Sequence, residues 1–203
     1  IVSSRRGGGN YELRVYGKAA HAGISPEDGI SAIEEISHKI IKLQQLNQFM
    51  NGVNVNVGIV RAGESANVIC PYAEAYIDVR IDKIEQGILI DQEIRKICAT
   101  ANVPGAILEL QGSINRNPMV KDEGTVRLLN VIQEAGEEIG IQIKDVSTGG
   151  NSDASFTSTV GVATIDGLGP IGGNAHSEDE YIEIPSLVER ALLLAKVIKK
   201  LSE

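Results

Sequence analysis

Tryptophan is absent and aromatic residues make up only 3% of the 203 residues, which carry a formal net charge of −8. A nucleic-acid surface needs basic patches and stacking platforms, so no nucleic acid is expected as a partner. No apolar run approaches the roughly 18 residues needed to span a bilayer, and the opening IVSSRRGGGN lacks the apolar core of a signal peptide. These absences set the expectation of no membrane partner and a cytoplasmic location. The two cysteines, Cys70 and Cys98, are too few and too far apart for a disulfide framework or a zinc knuckle. Both read as small buried hydrophobes. The sequence opens at Ile1 rather than Met, and its first ten residues read as a linker or turn entering a strand, so the chain is expected to be part of something longer.

What is present suits a globular protein: 42% hydrophobic residues, enough for one large domain or two small ones. YELRVYGK, from Tyr11, alternates as a half-buried strand does. SPEDGISAIEEISHKIIKLQQL then switches to helical spacing, with Ser25 as N-cap, Pro26 in the first turn, and an apolar stripe of Ile30, Ile33, Ile36, Ile40 and Leu43. Glu34, His38 and Lys42 share the opposite face, which marks His38 as solvated. GVNVNVGIVRAG and ANVICPYAEAYIDVRI follow as two alternating runs, read as antiparallel neighbours. IEQGILIDQEIRKICATA returns to helical spacing, and GAILELQGSI adds a strand. The order β-α-β-β-α-β is the ferredoxin-like split arrangement.

NRNPM, Asn115 to Met119, interrupts this pattern. Beyond it DEGTVRLLNVIQEAGEEIG reads as a helix ending at Gly140, IQIKDVSTGG as a strand running into a Gly turn, and DASFTSTV as a short helix. GVATIDGLG reads as a buried strand with its loop, and IPSLVERALLLAKVIKKLSE as a closing helix with lysines in its last turn. The fold class is α/β, in the α+β sense: a ferredoxin-like unit over 1–115, then an incomplete α/β segment over 116–203.

Four stretches carry candidate chemistry. GGNAHSEDEY sets His176 on a Gly-rich loop beside carboxylates, which suits metal ligation, because the second ring nitrogen needs a carboxylate or carbonyl to fix its tautomer. The alternative is a solvated acidic loop with an incidental histidine. STGGNSDAS aims backbone N–H groups at whatever sits before a helix start, with Asp153 or Ser152 as a plain cap instead. Asn67 and Arg80 bracket a strand, where a guanidinium with a nearby amide can clamp a carboxylate; a surface ion pair is the alternative for Arg80. In GKAAHAGISPEDG, His21 stands among small residues between a strand and a helix.

Together, GKAAHAGISPEDG, ANVICPYAEAYIDVR, TGGNSDAS and GNAHSEDEYI resemble, in order, the lid and C-terminal catalytic segment of the two-zinc exopeptidases. That family includes glutamate carboxypeptidases, peptidase T, aminoacylases, acetylornithine deacetylase and succinyl-diaminopimelate desuccinylase. The resemblance implies a metal-dependent hydrolase of peptide or N-acyl amide bonds, acting on small peptides or N-acyl amino acids with a free carboxylate. By it, His21 stabilises the oxyanion in the partner subunit's site. Asn67 and Arg80 hold the substrate carboxylate, Gly149 and Gly150 contact substrate through the backbone, His176 is a metal ligand, and Asp179 orients it. The lid also implies a homodimer.

The resemblance implies two zinc ions per subunit, and cobalt or manganese fits such ligands equally. A metal pair needs about five protein ligands and a Glu base, which the family draws from an N-terminal half with an H-x-D motif, a bridging Asp and a Glu-Glu pair. Here only His176 is offered as a ligand, so these 203 residues are expected to be inactive alone, with apolar helix faces and sheet edges exposed beyond Met119. The rival reading is a non-catalytic dimerisation or ligand-binding module, which gives no reason for His21, Asn67, Arg80 and His176 to occur together.

Overall fold

The computed structural model describes residues 1–203. In chain order the elements are β1 (Val2–Arg5), β2 (Gly7–Tyr16), α1 (Ala32–Gln45), β3 (Val53–Ala62), β4 (Tyr72–Ile81), α2 (Ile84–Cys98), β5 (Ile107–Arg116), α3 (Glu123–Glu137), β6 (Val146–Thr148), α4 (Ala154–Thr159), β7 (Gly172–Gly173), β8 (Tyr181–Ile182) and α5 (Ile184–Ser202). They divide into two compact units, Arg6–Pro118 and Ile1–Arg5 with Met119–Glu203. The structure divides at Pro118/Met119 where 115/116 is expected, and the first five residues pair with the second unit, not with Arg6–Pro118.

In the Arg6–Pro118 unit, β3-β4-β2-β5 form an antiparallel sheet. This is the expected ferredoxin-like order, with α1 and α2 against one face. Strict alternation drives it: along β4, Ala73, Ala75, Ile77, Val79 and Ile81 are buried while Glu74, Tyr76, Asp78 and Arg80 turn to the other face. Ile36 and Leu43 of α1 and Ile90, Ile94 and Cys98 of α2 complete one core with Tyr11, Leu13 and Val15. Cys70 and Cys98 are both buried and free, and burial pushes the Cys98 thiol up to about 11.

Several local readings change. The glycines before Tyr11 are strand, not linker: β2 begins at Gly7, and a Cβ at Gly8 would lie 2.1 Å from the Val79 carbonyl oxygen, so only glycine permits this close pairing. Pro26–Asp28 form a separate 3₁₀ turn, and Ser25 makes no side-chain cap. The helix instead starts after Ser31, whose hydroxyl accepts from the Glu34 N–H at 3.2 Å. The stripe is also rotated, because Ile33 is 43% exposed while Glu35 and Lys39 are fully buried. That pair is a buried ion bridge, Lys39 Nζ to Glu35 Oε1 at 3.0 Å. Lys39 also donates to the Thr100 carbonyl and to Asn102 Oδ1, and Glu35 Oε2 accepts from the N–H groups of Asn102 and Val103. α1 thereby ties down the loop leaving α2.

The second unit has less regular structure. β1 and β6 pair in parallel, β7 and β8 form a short hairpin, and α3 packs with α5 around Ile132, Ala135, Ile143, Leu193 and Val197. The parallel pairing expected of an α/β segment is there. The helix expected to reach Gly140 ends at Glu137, with Gly140 at φ +78° in the following turn. Residues 141–145 are not strand, and 161–169 are neither strand nor fully buried; a Val2–Asp166 bridge and the Arg5–Asp166 ion pair tie the latter to β1. An apolar run becomes a strand only when a neighbouring strand supplies its hydrogen bonds. α5 carries Pro185 in its first turn and Lys199 and Lys200 in its last, as its sequence requires, yet Ile184, Val188, Ile198 and Leu201 are exposed.

Candidate functional site

At one end of the Arg6–Pro118 unit the residues after β2 run beside those before β4. An isolated bridge joins His21 to Val68, flanked by Ala22 N–H to the Asn67 carbonyl and Ile69 N–H to the Ala20 carbonyl, each 2.9 Å. His21 and Asn67 are therefore held on adjoining rungs, and both side chains are exposed. The Gly23 N–H donates to His21 Nδ1 at 3.1 Å. An imidazole that accepts at Nδ1 keeps its proton at Nε2 and presents it as a donor. Ser65 Oγ likewise donates to Asn67 Oδ1 at 2.5 Å, which turns the amide NH₂ outward. The local geometry thus leaves two N–H donors at this edge, a set suited to negative charge on oxygen. The one sequence signal for this tautomer is a glycine two residues after the histidine, and it acts only once the turn brings its N–H to Nδ1.

Beside this edge lies a half-open cleft of about 500 Å³, lined by Arg61–Ser65, Val68, Cys70–Tyr72 and Glu74. Alternation did not point to it, because it forms where β3 and β4 diverge into their connection. Its polar wall is already engaged: Arg61 pairs with Glu74 at 3.1 Å, and the Tyr72 hydroxyl donates to Glu74 at 2.8 Å. That hydrogen bond, with burial, pushes Tyr72 up to about 12.

Arg80 sits elsewhere. It lies eight steps along β4 from Tyr72, roughly 26 Å at ~3.3 Å per residue, so one protomer does not bring Asn67 and Arg80 into a joint clamp. Its guanidinium makes a bidentate pair with Asp78, Nε to Oδ2 at 2.8 Å and Nη2 to Oδ1 at 2.9 Å.

In the second unit, Gly149 and Gly150 follow β6 as the expected turn. Arg5 spans it, with Nη1 donating to the Gly150 carbonyl at 3.0 Å and Nε paired with Asp166 at 2.8 Å. No local sequence signal assigns Arg5 to this turn, because the link is made only when β1 lies beside β6. The N-cap position of α4 is Asp153, which makes no side-chain cap bond, while Ser152 just before it accepts from the Ala154 N–H through Oγ at 3.2 Å.

His176 lies at the tip of the β7–β8 hairpin, exposed and with φ +69°. A non-glycine residue in the left-handed region costs about 1 kcal/mol or more and is worth a functional reading. Glu180 accepts from the His176 backbone N–H at 3.3 Å, while the Asp179 N–H donates to Ser177 Oγ at 3.2 Å. No group of three or more His, Cys, Asp or Glu is arranged to hold a metal ion. These residues offer one imidazole toward a metal and do not by themselves fit a metal pair.

A family profile described as "Peptidase dimerisation domain" matches residues 3–106. The chain is 27% identical over 195 residues to carboxypeptidase G2 of Pseudomonas sp. (strain RS-16), covering 94% of this chain and 46% of that protein. In fold it matches the aminopeptidase PepT of Bacillus cereus ATCC 10987, with TM-score 0.81 at 22% identity, covering all of this chain and 54% of that one. It also matches the Bacillus subtilis YXEP protein, described as a dinuclear metal-binding peptidase from the M20 family, with TM-score 0.66 at 21% identity over 95% of this chain and 49% of that one. The chain thus spans about half the length of these relatives.

Proposed function

The chain belongs to the M20 peptidase family through its match to the peptidase dimerisation domain, and from that membership we propose that it serves a metal-dependent hydrolase of peptide or N-acyl amide bonds. The substrates are small, with a free carboxylate. The observation that carries the reading is the donor pair at the lid edge, His21 with Nδ1 occupied by Gly23 and Asn67 on the adjoining rung. His21 stabilises the scissile carbonyl oxygen as it becomes an oxyanion, and its small neighbours let another backbone come close. Asn67 and Arg80 hold the substrate carboxylate. Because Asn67 lies before β4 and Arg80 near its far end, in this reading one copy of the chain supplies Arg80 and a second supplies His21 and Asn67, in a homodimer through the Arg6–Pro118 unit. Gly149 and Gly150 receive the substrate backbone, steadied by Arg5.

The metal, zinc in this reading, supplies Lewis acidity and an activated water when bound. His176 contributes one ligand, with Asp179 beside it to orient the ring, and the remaining ligands come from outside these 203 residues. The chain alone is accordingly inactive. A cytoplasmic location belongs to the same reading.

The test is metal content and hydrolysis of a dipeptide and tripeptide panel, measured on this chain and on the full-length protein that carries it. About two metals per subunit and cleavage by the longer protein alone support the proposal. There, His21→Ala lowers kcat about a hundredfold, and Arg80→Ala lowers kcat/KM by roughly 2–4 kcal/mol of transition-state stabilisation. Activity in the short chain overturns the ligand count. Inactivity of both favours a dimerisation or ligand-binding module, in which the Arg80–Asp78 pair is a plain surface ion bridge.

A further inference from the structure

Asp78 and Arg80 stand two residues apart on β4, so the pleat sets both side chains on the face opposite Ile77, Val79 and Ile81. The carboxylate takes the side-on edge of the guanidinium, Nε and Nη2, at 2.8 and 2.9 Å. A guanidinium has five N–H donors in a rigid plane, and with that edge occupied the Nη1/Nη2 end is the fork that remains. Asp78 is held in turn. Asn10, its partner in register on β2, donates from Nδ2 to Asp78 Oδ1 at 3.3 Å. Opposite Arg80 on the same strand is Gly8, where a Cβ would stand 3.3 Å from Arg80 Cδ, so the arginine stem lies over a position with no side chain.

We propose that Asp78, steadied by Asn10, is a positioning residue that fixes the plane of Arg80 so that its end-on fork meets the α-carboxylate of the substrate. This rests on the reading of Arg80 as the carboxylate clamp. A surface arginine normally samples many rotamers, and a bidentate ligand must freeze them on binding. Here the strand has frozen them in advance. The negative charge of Asp78 opposes an incoming carboxylate, so the two possible roles, orienter and competing anion, predict shifts of opposite sign.

The experiment uses the full-length protein with N-benzoyl-glutamate and trialanine, each beside its α-carboxamide. Asp78→Asn is nearly isosteric but presents one amide oxygen in place of a two-oxygen acceptor. It raises KM for the acids about tenfold, leaves kcat within about twofold, and leaves kcat/KM for the amides unchanged. Asp78→Glu keeps the charge but moves the carboxylate by one methylene and raises KM as well. Asn10→Ala, which leaves the ion pair in place, raises it by about two- to threefold. A lower KM for the acids in Asp78→Asn, or a Glu variant indistinguishable from the parent, overturns the proposal, as does an equal loss on acids and amides, which marks a merely structural role. Arg80→Ala separates the two readings. If it leaves the acid-over-amide preference intact, the clamp itself fails; if it abolishes that preference while the Asp78 variants change nothing, only the present inference falls.

Discussion

The two units are built from the same kinds of residue and differ in whether their apolar faces find partners within the chain. In Arg6–Pro118 one cluster of buried residues runs from Tyr11 to Cys98 beneath a four-stranded sheet, with α1 and α2 both seated. In the other unit the buried cluster holds five residues, the sheets have two strands each, and α5 turns Ile184, Val188, Ile198 and Leu201 outward. Composition alone does not separate them. A unit closes when every apolar face meets another, which needs the right elements as well as enough hydrophobic residues.

The most severe way to break this comparison is to cut the chain. Residues 6–118 produced alone are expected to melt in one cooperative transition by circular dichroism, whereas 119–203 alone are expected to lose cooperativity and bind a hydrophobic dye. The reverse result would end the distinction. Next in size is the buried ion bridge. Lys39→Ala leaves the Glu35 carboxylate without its cation and costs about 3–5 kcal/mol in urea unfolding, while Glu35→Leu with Lys39→Met recovers most of that loss.

The same bridge carries a pH signature. Burial pushes the Glu35 carboxyl up, but the Val103 N–H, Lys39 and the Asn102 N–H outweigh it and hold it below the ordinary carboxylate value. The unfolded chain then takes up the proton more readily, so this stabilisation is complete above the ordinary carboxylate pKa and is lost as pH falls through and below it. Urea titrations from neutral pH to about pH 3 are expected to show that slope, and Glu35→Gln to flatten it. Asp91, lowered by Arg95, contributes in the same direction.

A smaller effect sharpens the contrast between cores. Ile90→Ala, beneath the full sheet, is expected to cost about 3–4 kcal/mol, and Leu193→Ala in the thinner unit about 2, because a less enclosed site collapses around the cavity. Equal costs would show the second core to be as rigid as the first. Least of all, Glu138 bridges α3 to Lys196 and Lys200 of α5 at 2.8 and 2.7 Å, and these lysines push its carboxyl down to about 2. On such an exposed pair, Glu138→Gln is expected to lower the melting temperature only slightly, and not at all in high salt.

Legibility in the sequence followed the same division. β4 and α2 were readable because period two and period 3.6 are local properties of chain and side chain. α1 was readable as a helix but its start was not: Ser25-Pro26 is a sound cap signal that loses to Ser31, and the burial of Glu35 and Lys39, outside the apolar stripe, is decided by the loop after α2, which supplies their partners. GVATIDGLG looked like a buried strand because its apolar residues promise burial, while its hydrogen-bond partners lie in other segments and cannot be read locally. At the candidate site, His21, Asn67 and His176 stood out by type and neighbourhood. The tautomer of His21, the Asp78 side of Arg80 and the hold of Arg5 on Gly150 did not.

The sequence by itself determined most of the helices and strands from Tyr11 to Ser113, their ferredoxin-like order, and the family, because these rest on short-range periodicity and on motifs that keep their spacing. Tertiary structure alone decided that Gly7 to Gly9 are strand, that β1 belongs with β6 and not with the four-stranded sheet, that Asn67 pairs with the segment around His21 while Arg80 pairs with Asp78, and that Lys39 is buried. Each of these depends on contacts between residues far apart in the chain. Such contacts form only when another segment arrives to complete a hydrogen bond or to exclude water.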